Sequence, residues 1–370
     1  MENPATIDSI YAALREFLLD DVLRGDVEEL EEDTPLLETN ILDSIALVRT
    51  LVFVEARFDV RIPDSDVTPE NFRSLRTLSR HIARLEPEQA GSQEARSIHD
   101  APIRALEIYG IRRGRLAAGE ASIHYLRVEG PGPTWVMLPA LGNASSSWGA
   151  LLRAVKGEHE AIALDQLGFG LSHRPGPTPQ FSDHVEAMIA AVDALTAGPI
   201  VLFGNSAGAM VAAEIARRRP EKVAALVVTS IAALPDPDAF WHELTELTGD
   251  LDRYMKAMYF RPPPLSETLR ETVSSALSCP AYTGFLDELG RERLPRLFEG
   301  VSAPTLFVCG QADRVIPRAA VSATVAAMPN ARLEGLPRCG HYPQTERPQE
   351  LLLLVDQFLA NLAKTAAGAR

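Results

Sequence analysis

The apolar residues of this chain follow two different rhythms, and the change between them divides the sequence into two parts. Within residues 6–85 apolar side chains recur at helical spacing, in three series that begin at Ile7, Leu47 and Leu75. An acidic loop, 25–40, separates the first series from the second. Because no strand pattern interrupts these series, the first part is predicted to be a small bundle of helices.

From residue 106 onward, short apolar runs alternate with helical patterns. This alternation predicts a mostly parallel sheet with helices on both faces. Residues 231–300 interrupt it with a helical, proline-containing stretch, which we interpret as a cap inserted between two strands. The predicted strands are 121–128, 135–138, 161–164, 200–203, 224–229, 305–309 and one that ends at 333–335.

Residues 87–105 keep neither rhythm and are rich in Gln, Glu, Ser, Ala and Pro. This composition is typical of a linker. We therefore predict a helical domain over 1–86, a linker over 87–105 and an α/β domain over 106–368. As a flexible coil, the linker would reach roughly 25 Å.

Charge is distributed unevenly along the 370 residues. The formal net charge is −14, and residues 1–86 hold nineteen acidic and nine basic side chains. An acidic domain of this kind suits basic protein partners, although solubility alone is the other explanation. The acidic balance argues against nucleic-acid binding, which needs clustered Lys and Arg.

Other classes of site and location find little support in the sequence. The three cysteines, Cys279, Cys309 and Cys339, lie far apart, and no pair of histidines has metal-ligand spacing, so we predict neither a disulfide framework nor a metal site. No secretory signal and no apolar run of about 20 residues is visible, which predicts a cytoplasmic protein without a membrane span.

The first candidate site is Ser44, at the start of a predicted helix. Asp43 or Ser44 would also serve as an ordinary helix cap. The surrounding sequence favours another interpretation, because residues 5–85 closely resemble the carrier proteins of polyketide and nonribosomal peptide assembly. The features that carry this resemblance are Asp43-Ser44-Ile45, Phe58, Ile62-Pro63 and Glu70-Asn71-Phe72.

The resemblance implies a four-helix acyl carrier domain whose Ser44 is esterified by 4′-phosphopantetheine. That arm ends in a thiol, which holds acyl groups as thioesters. A phosphopantetheinyl transferase and upstream assembly-line enzymes that load the arm are the partners implied.

The second candidate site is built around Ser206. The sequence Gly204-Asn205-Ser206-Ala207-Gly208 lies between an apolar strand and a helix, which is the setting of a nucleophile elbow. A serine nucleophile needs a base and an orienting acid, here expected downstream in the order acid, histidine. Asp313 follows strand 305–309, and His341 follows the next strand. A turn residue and an ordinary loop histidine are the alternatives for these two.

These residues resemble the α/β-hydrolase superfamily, over about residues 106–365. The resemblance implies that Ser206 is the nucleophile, His341 the general base and Asp313 the acid that orients it. It also implies two backbone oxyanion donors, the N–H groups of Ala207 and Leu141. Pro139-Ala140 stands where the family usually has His-Gly, a departure that bears on the Leu141 donor and on substrate class.

An aspartate, a cysteine and a set of cap side chains are interpreted from the sequence around them. The sequence from Asp165 to Ser172 resembles a family loop, and Asp165 is predicted to hydrogen-bond its own turn rather than to take part in catalysis. Cys339 has no base of its own and is not predicted to be a nucleophile. Cap side chains that would either line an acyl channel or only pack the cap are Trp241, Tyr254, Met255, Met258, Tyr259 and Phe260.

A carrier and a hydrolase in one chain predict thioester substrates. Tethering raises the effective concentration of the carrier to millimolar order, so an acyl thioester meets the hydrolase without free diffusion. We expect the triad to release or transfer that acyl group in natural-product biosynthesis. The alternatives are hydrolysis of a free ester or a C–C bond, acyl transfer to a small nucleophile, and a docking module with a silent triad.

Overall fold

The chain forms two compact units, Met1–Ile111 and Arg112–Arg370. The structure is a computed structural model. It describes residues 6–23, 30–39, 41–42, 44–58, 60, 62–85, 100–234, 236–263, 265 and 267–368.

The described part of the first unit is helical. Its core is formed by apolar residues from all three of the predicted series, including the fully buried Leu14, Leu47 and Leu75. Ser74 and Thr77 form a capping box that fixes the start of one helix. The helices are α1 (Ile7–Phe17), extended by a π-helical turn (Leu18–Leu23), α2 (Ser44–Phe58), a 3₁₀ turn (Asp64–Asp66), α3 (Leu75–Ile82) and α4 (Asp100–Glu107).

Helix α4 lies where the sequence predicted the end of a linker, and it packs against α2. Arg104 is 2% exposed, and its guanidinium donates to Glu55 Oε1 at 2.9 Å and to the carbonyl of Ile62. The hydroxyl of Tyr109 donates to the carbonyl of Leu42 at 2.7 Å. Residues 100–105 therefore belong to the first unit rather than to a linker. Residues 86–99 lie outside the described residues.

The second unit contains one eight-stranded sheet in the order β1-β2-β4-β3-β5-β6-β7-β8. Strand β2 runs antiparallel to both β1 and β4, and all other neighbouring strands pair in parallel. The edge strand β1 was not predicted from the sequence, because most of its side chains are charged or exposed. The strands are β1 (Arg112–Ala118), β2 (Ala121–Val128), β3 (Gly132–Leu138), β4 (His159–Leu164), β5 (Ile200–Asn205), β6 (Val223–Thr229), β7 (Thr305–Gly310) and β8 (Ala331–Leu336).

Helices cover this sheet, as the strand-helix alternation predicts. Every residue of β5 and β7 is buried, which requires cover on both faces. The helices between strands and after β8 are α5 (Gly149–Val155), α6 (Phe181–Leu195), α7 (Ala207–Arg218), α12 (Arg318–Ala326), α13 (Pro343–Glu346) and α14 (Pro348–Gly368).

The segment between β6 and β7 is helical and forms the cap. Two of its helices begin with an aspartate whose side chain accepts a backbone N–H, Asp236 and Asp250. The cap helices are α8 (Pro237–Thr248), α9 (Leu251–Met258), α10 (Glu267–Ser278) and α11 (Pro280–Arg293). Among the described residues, no helix has the length and apolarity that a membrane span requires.

Candidate active site

Ser206 occupies a sharp turn between β5 and α7. Its φ of 51° and ψ of −120° are rare for a residue with a side chain, and strain of this kind is worth about 1–3 kcal/mol. The turn is held by its N–H, which donates to the carbonyl of Thr229 at 2.9 Å. A Cβ on Gly204 would lie 2.3 Å from Ala209 Cα, and one on Gly208 would lie 2.3 Å from a carbonyl oxygen at the end of β3. Both glycines are therefore required for the turn.

Asp313 and His341 follow β7 and β8 and are hydrogen-bonded to each other. His341 Nδ1 lies 2.9 Å from Asp313 Oδ2, and each side chain is 2% exposed. Asp313 Oδ1 accepts the N–H groups of Val315 and Ile316 at 2.9 and 3.1 Å. Burial acts to raise the pKa of Asp313, but the charge of His341 and these hydrogen bonds hold it below its usual value. The carboxylate is therefore ionised and fixed in orientation.

One pocket brings the predicted residues together. It is lined by Ser206, Ala207, Leu141 and His341. With the Nδ1 proton donated to Asp313, His341 Nε2 is left to accept a proton. No hydrogen bond joins Ser206 Oγ to that nitrogen within the described chain, and such bonds commonly tighten when substrate binds.

Asn205 anchors the loop that carries the histidine, a role that the motif did not reveal. This fully buried side chain donates to Thr229 Oγ1 at 2.9 Å and to the carbonyl of His341 at 3.1 Å. Its own oxygen accepts Gln344 Nε2 at 3.1 Å. In the sequence, the position of this amide at the end of an otherwise apolar strand indicates a special role. Its partner Gln344, 139 positions away, could not be predicted.

The cap also holds the histidine in place. The N–H of His341 donates to the carbonyl of Met258, at the end of α9, at 2.7 Å. Glu346 Oε1 accepts the N–H of Gly340 and Oε2 accepts the N–H of Phe260, both at 2.8 Å. Burial raises the pKa of Glu346 despite these hydrogen bonds. The position of His341 therefore depends on the cap as well as on the sheet.

The predicted oxyanion loop, 139–143, follows β3 and contains the departure from the family pattern. The carbonyl of Pro139 accepts Gln166 Nε2 at 2.8 Å, and Gly142 has a φ of +80°. Ala207 is the first residue of α7, so its N–H has no acceptor within that helix. Because Leu141 lines the same pocket, both predicted donor residues border Ser206.

The rest of the pocket is mostly apolar. Of the cap side chains singled out in the sequence, Tyr254 and Met258 line it, whereas Met255 is buried in the core and Phe260 is 37% exposed. The side chain of Trp241 lies outside the described residues. Ala140, from the altered loop, also lines the pocket. Further pocket residues, which the sequence did not single out, are Met210, Phe240, Leu244, Tyr282, Phe285, Leu286, Val315 and Tyr342.

Asp165 binds its own turn, as predicted. Its carboxylate accepts the N–H of Leu171 at 2.9 Å, the N–H of Ser145, and His124 Nδ1 at 2.8 Å. Burial acts to raise the pKa of Asp165, but the contact with His124 and the backbone donors lower it. Cys339 is also buried, and burial raises the pKa of its thiol to about 12, so it remains a thiol.

Ser44 is the first residue of α2, the position predicted for the attachment site. Asp43 and the side chain of Ser44 lie outside the described residues. The first turn of α2 carries no acidic residue, and Asp43 directly precedes it in the sequence. A helix start of this kind suits the phosphodiester of 4′-phosphopantetheine.

Comparison with known families identifies both units. Residues 135–352 match the model of the alpha/beta hydrolase family, and residues 16–82 match the model of the phosphopantetheine attachment site. The predicted fold class is thereby confirmed: a helical carrier region precedes an α/β-hydrolase fold with a mostly parallel sheet. Covalent 4′-phosphopantetheine is the cofactor that the match of residues 16–82 implies.

Individual relatives are hydrolases of several kinds. The chain is 29% identical to 2-hydroxymuconate semialdehyde hydrolase from Pseudomonas putida, over 54% of this chain and 76% of that protein. It is 29% identical to pimeloyl-[acyl-carrier protein] methyl ester esterase from Xanthomonas campestris, over 64% of this chain and 99% of that protein.

A solved structure shows the same fold. The 2-hydroxy-6-oxo-6-phenylhexa-2,4-dienoate hydrolase from Rhodococcus sp. strain RHA1 is 20% identical, with a TM-score of 0.58 over 68% of this chain and 99% of that one. The family match and these curated hydrolases support, in general, a serine-hydrolase type of enzyme.

Proposed function

Since this chain belongs to the alpha/beta hydrolase family and joins that domain to a phosphopantetheine attachment domain, we propose that it releases or transfers acyl groups held on its own carrier. The presence of both domains in one chain carries the proposal. Encounter within one chain is equivalent to a carrier concentration of millimolar order. The polyketide- and nonribosomal-peptide-like carrier sequence supports a role in natural-product biosynthesis.

The triad residues supply the chemistry. Ser206 Oγ attacks the acyl carbon of a thioester while His341 Nε2 takes its proton, and Asp313 stabilises the resulting imidazolium. The C–S bond then breaks and His341 returns the proton to the leaving sulfur. Water, or another nucleophile, attacks the acyl-serine with His341 again as base, which frees Ser206. The N–H groups of Leu141 and Ala207 stabilise the oxyanion of each step.

Ser44 is the proposed attachment residue on the carrier. When bound, 4′-phosphopantetheine supplies a flexible arm whose thiol carries acyl groups. The chain's contribution is the start of α2, which presents Ser44 to a phosphopantetheinyl transferase and to the enzymes that load the arm.

A second candidate is hydrolysis of an ester elsewhere in a carrier-bound acyl group. The similarity to a methyl ester esterase whose named substrate is carried by acyl-carrier protein supports it. In this case Ser206 attacks the distal ester, an alcohol leaves, and the thioester survives. The two candidates differ in which end of the acyl group occupies the pocket.

Intact-protein mass spectrometry tests both candidates. A promiscuous phosphopantetheinyl transferase would load the full chain with a panel of acyl-phosphopantetheines, some of which end in methyl esters. Wild type would be compared with Ser206→Ala and Ser44→Ala. We expect Ser44→Ala to take up no arm, and acyl groups to leave wild type while they persist on Ser206→Ala.

The mass that remains identifies the reaction. Loss of the whole acyl group indicates unloading, whereas loss of the methyl group alone indicates the ester candidate. Persistence of all acyl groups on wild type would contradict both, and free esters or C–C substrates would then be tested. A fluorophosphonate that labels wild type but not Ser206→Ala establishes an active serine; absence of labelling would instead favour a silent docking module.

A further inference from the structure

The cap contacts the loop of the proposed catalytic histidine at the end of α9. A helix leaves its last carbonyl groups without partners inside the helix. The carbonyl of Met258, the last residue of α9, accepts the N–H of His341 at 2.7 Å. A Cβ on Gly340 would lie 2.5 Å from the same carbonyl oxygen, so this close approach requires a glycine. The end of the cap helix therefore contacts both the histidine and the residue before it.

The carboxylate of Glu346 joins the same two segments a second time. This half-buried residue is the last of the short helix α13. Its Oε1 accepts the N–H of Gly340 and its Oε2 accepts the N–H of Phe260, two residues after the end of α9, both at 2.8 Å. Each oxygen therefore binds one segment, and the carboxylate forms a bridge between the histidine loop and the cap.

Two backbone donors, one on each oxygen, require a carboxylate at this position. A carboxylate has only acceptors, whereas the amide of a glutamine of the same shape has one acceptor and one donor group. A donor group placed against the N–H of Gly340 or Phe260 would leave that N–H without an acceptor. Hydrogen bonds to an ionised acceptor are also roughly twice as strong as those between neutral groups. The bridge therefore depends on the charge of Glu346 as well as on its shape.

We propose that Glu346 is a positioning residue that fixes His341 relative to the cap, so that the pocket wall and the proposed base keep one alignment. Helix α9 supplies Tyr254 and Met258 to the lining of the pocket that contains Ser206. Glu346 does not belong to the described lining, so it acts through His341 rather than on the substrate. The proposal rests on the proposed function and deepens it, because it makes the cap part of the structure that aligns the base.

Glu346→Gln in the full chain tests the proposal, with p-nitrophenyl acetate as substrate. We expect kcat to fall by about 10-fold or more, because a misplacement of about 1 Å lowers a rate by up to about 10²-fold. Labelling of Ser206 by a fluorophosphonate should slow, and amide hydrogen exchange should become faster in α9 and in residues 339–342. Glu350→Gln is the matched control: this exposed carboxylate, 3.3 Å from Arg347, lies in the first turn of α14 and its loss should change none of these.

A second variant removes the donor instead of the carboxylate. Proline has no N–H, so Phe260→Pro abolishes the hydrogen bond to Glu346 Oε2. Tyr259, which precedes it, has a φ of −118° and a ψ of 145°, the extended conformation that a following proline requires. We expect kcat to fall in Phe260→Pro too. The double variant should lose no more than the larger of the two single losses, because both changes disrupt the same bridge.

Three results would overturn the proposal. The first is a kcat of Glu346→Gln within threefold of wild type, even if the variant unfolds more easily, since that indicates a packing role alone. The second is a pair of losses that multiply in the double variant, because the two residues would then act independently. The third is unchanged amide exchange in α9 and residues 339–342, a measurement that needs no activity.

Further outcomes separate this proposal from the stability of one variant and from the proposed function. If Glu346→Gln does not fold, a normal kcat in Phe260→Pro would refute the proposal equally well. Ester hydrolysis by wild type without any unloading of its carrier would refute the proposed function alone. A fall of that ester hydrolysis in Glu346→Gln would still support the positioning role.

Discussion

Two buried histidine–aspartate pairs of nearly equal length occur in the hydrolase unit. His341 lies 2.9 Å from Asp313, and His124 lies 2.8 Å from Asp165. Of these four residues, only His341 lines the pocket that contains Ser206. A short His–Asp contact is therefore not sufficient to place a pair beside the proposed nucleophile.

Substitution should separate the two pairs. Asp313→Asn keeps the shape of the side chain but no longer fixes the His341 tautomer, and we expect kcat for ester hydrolysis to fall by about 10⁴-fold. Asp165→Asn should retain kcat at low temperature but lose about 3 kcal/mol in the free energy of unfolding, because a buried carboxylate that accepts several hydrogen bonds is removed. Steady-state kinetics and urea unfolding of each variant check this contrast. Equal loss of kcat in both would contradict it.

The sequence predicts individual residues whose chemistry places them at the ends of strands. It does not predict residues whose role depends only on contacts with distant segments. Ser206, Asp313 and His341 each follow a strand of the sheet, and the structure brings them to one site, where their catalytic roles stay predictions. Asn205 was quoted within the elbow motif without a role of its own, because its partners lie in other segments of the chain.

At the scale of elements, α4 is the clearest departure from the sequence-based expectation. Its buried face includes a charged residue, Arg104, beside Ile103 and Leu106. On the basis of composition alone, an arginine predicts that this segment is exposed to solvent. The charge is tolerated because Glu55 and a carbonyl of the segment after α2 neutralise and solvate it, which no local pattern reveals.

Removal of this arginine should loosen the contact between α4 and α2. In Arg104→Ala, Glu55 loses its ionic partner, and we expect faster amide hydrogen exchange in both helices, by up to about 10²-fold if 3 kcal/mol is lost. Arg84→Ala, at an exposed position after α3, is the control and should leave exchange unchanged. Unchanged exchange in Arg104→Ala, measured by mass spectrometry, would show that α4 docks without the ion pair.

For the whole molecule, the two units have separate cores and separate reporters. All three tryptophans, Trp135, Trp148 and Trp241, lie in the second unit. Intrinsic tryptophan fluorescence therefore follows unfolding of the hydrolase unit without interference from the carrier. Composition and rhythm predicted this division into two parts, but the boundary falls at Ile111 because α4 packs on the carrier side.

The hydrolase unit should lose stability in acid. The pKa values of Asp165 and Asp313 are lowered from 3.8 in the folded state, so their contribution is complete above that value. As the pH falls below it, the unfolded chain binds protons first and the free energy of unfolding decreases, until the folded carboxylates are protonated too. Urea titrations followed by tryptophan fluorescence between pH 7 and about pH 2.5 measure this. A midpoint independent of pH would contradict it.

The docking of α4 has a practical consequence for protein engineering. Only residues 108–111 separate the end of α4 from the first strand of the hydrolase. A chimera that exchanges this carrier for another and cuts the gene after residue 86 would leave a foreign carrier joined to an orphaned helix with an exposed apolar and charged face. The productive splice site lies between Ile111 and Arg112, where each fragment keeps its own core.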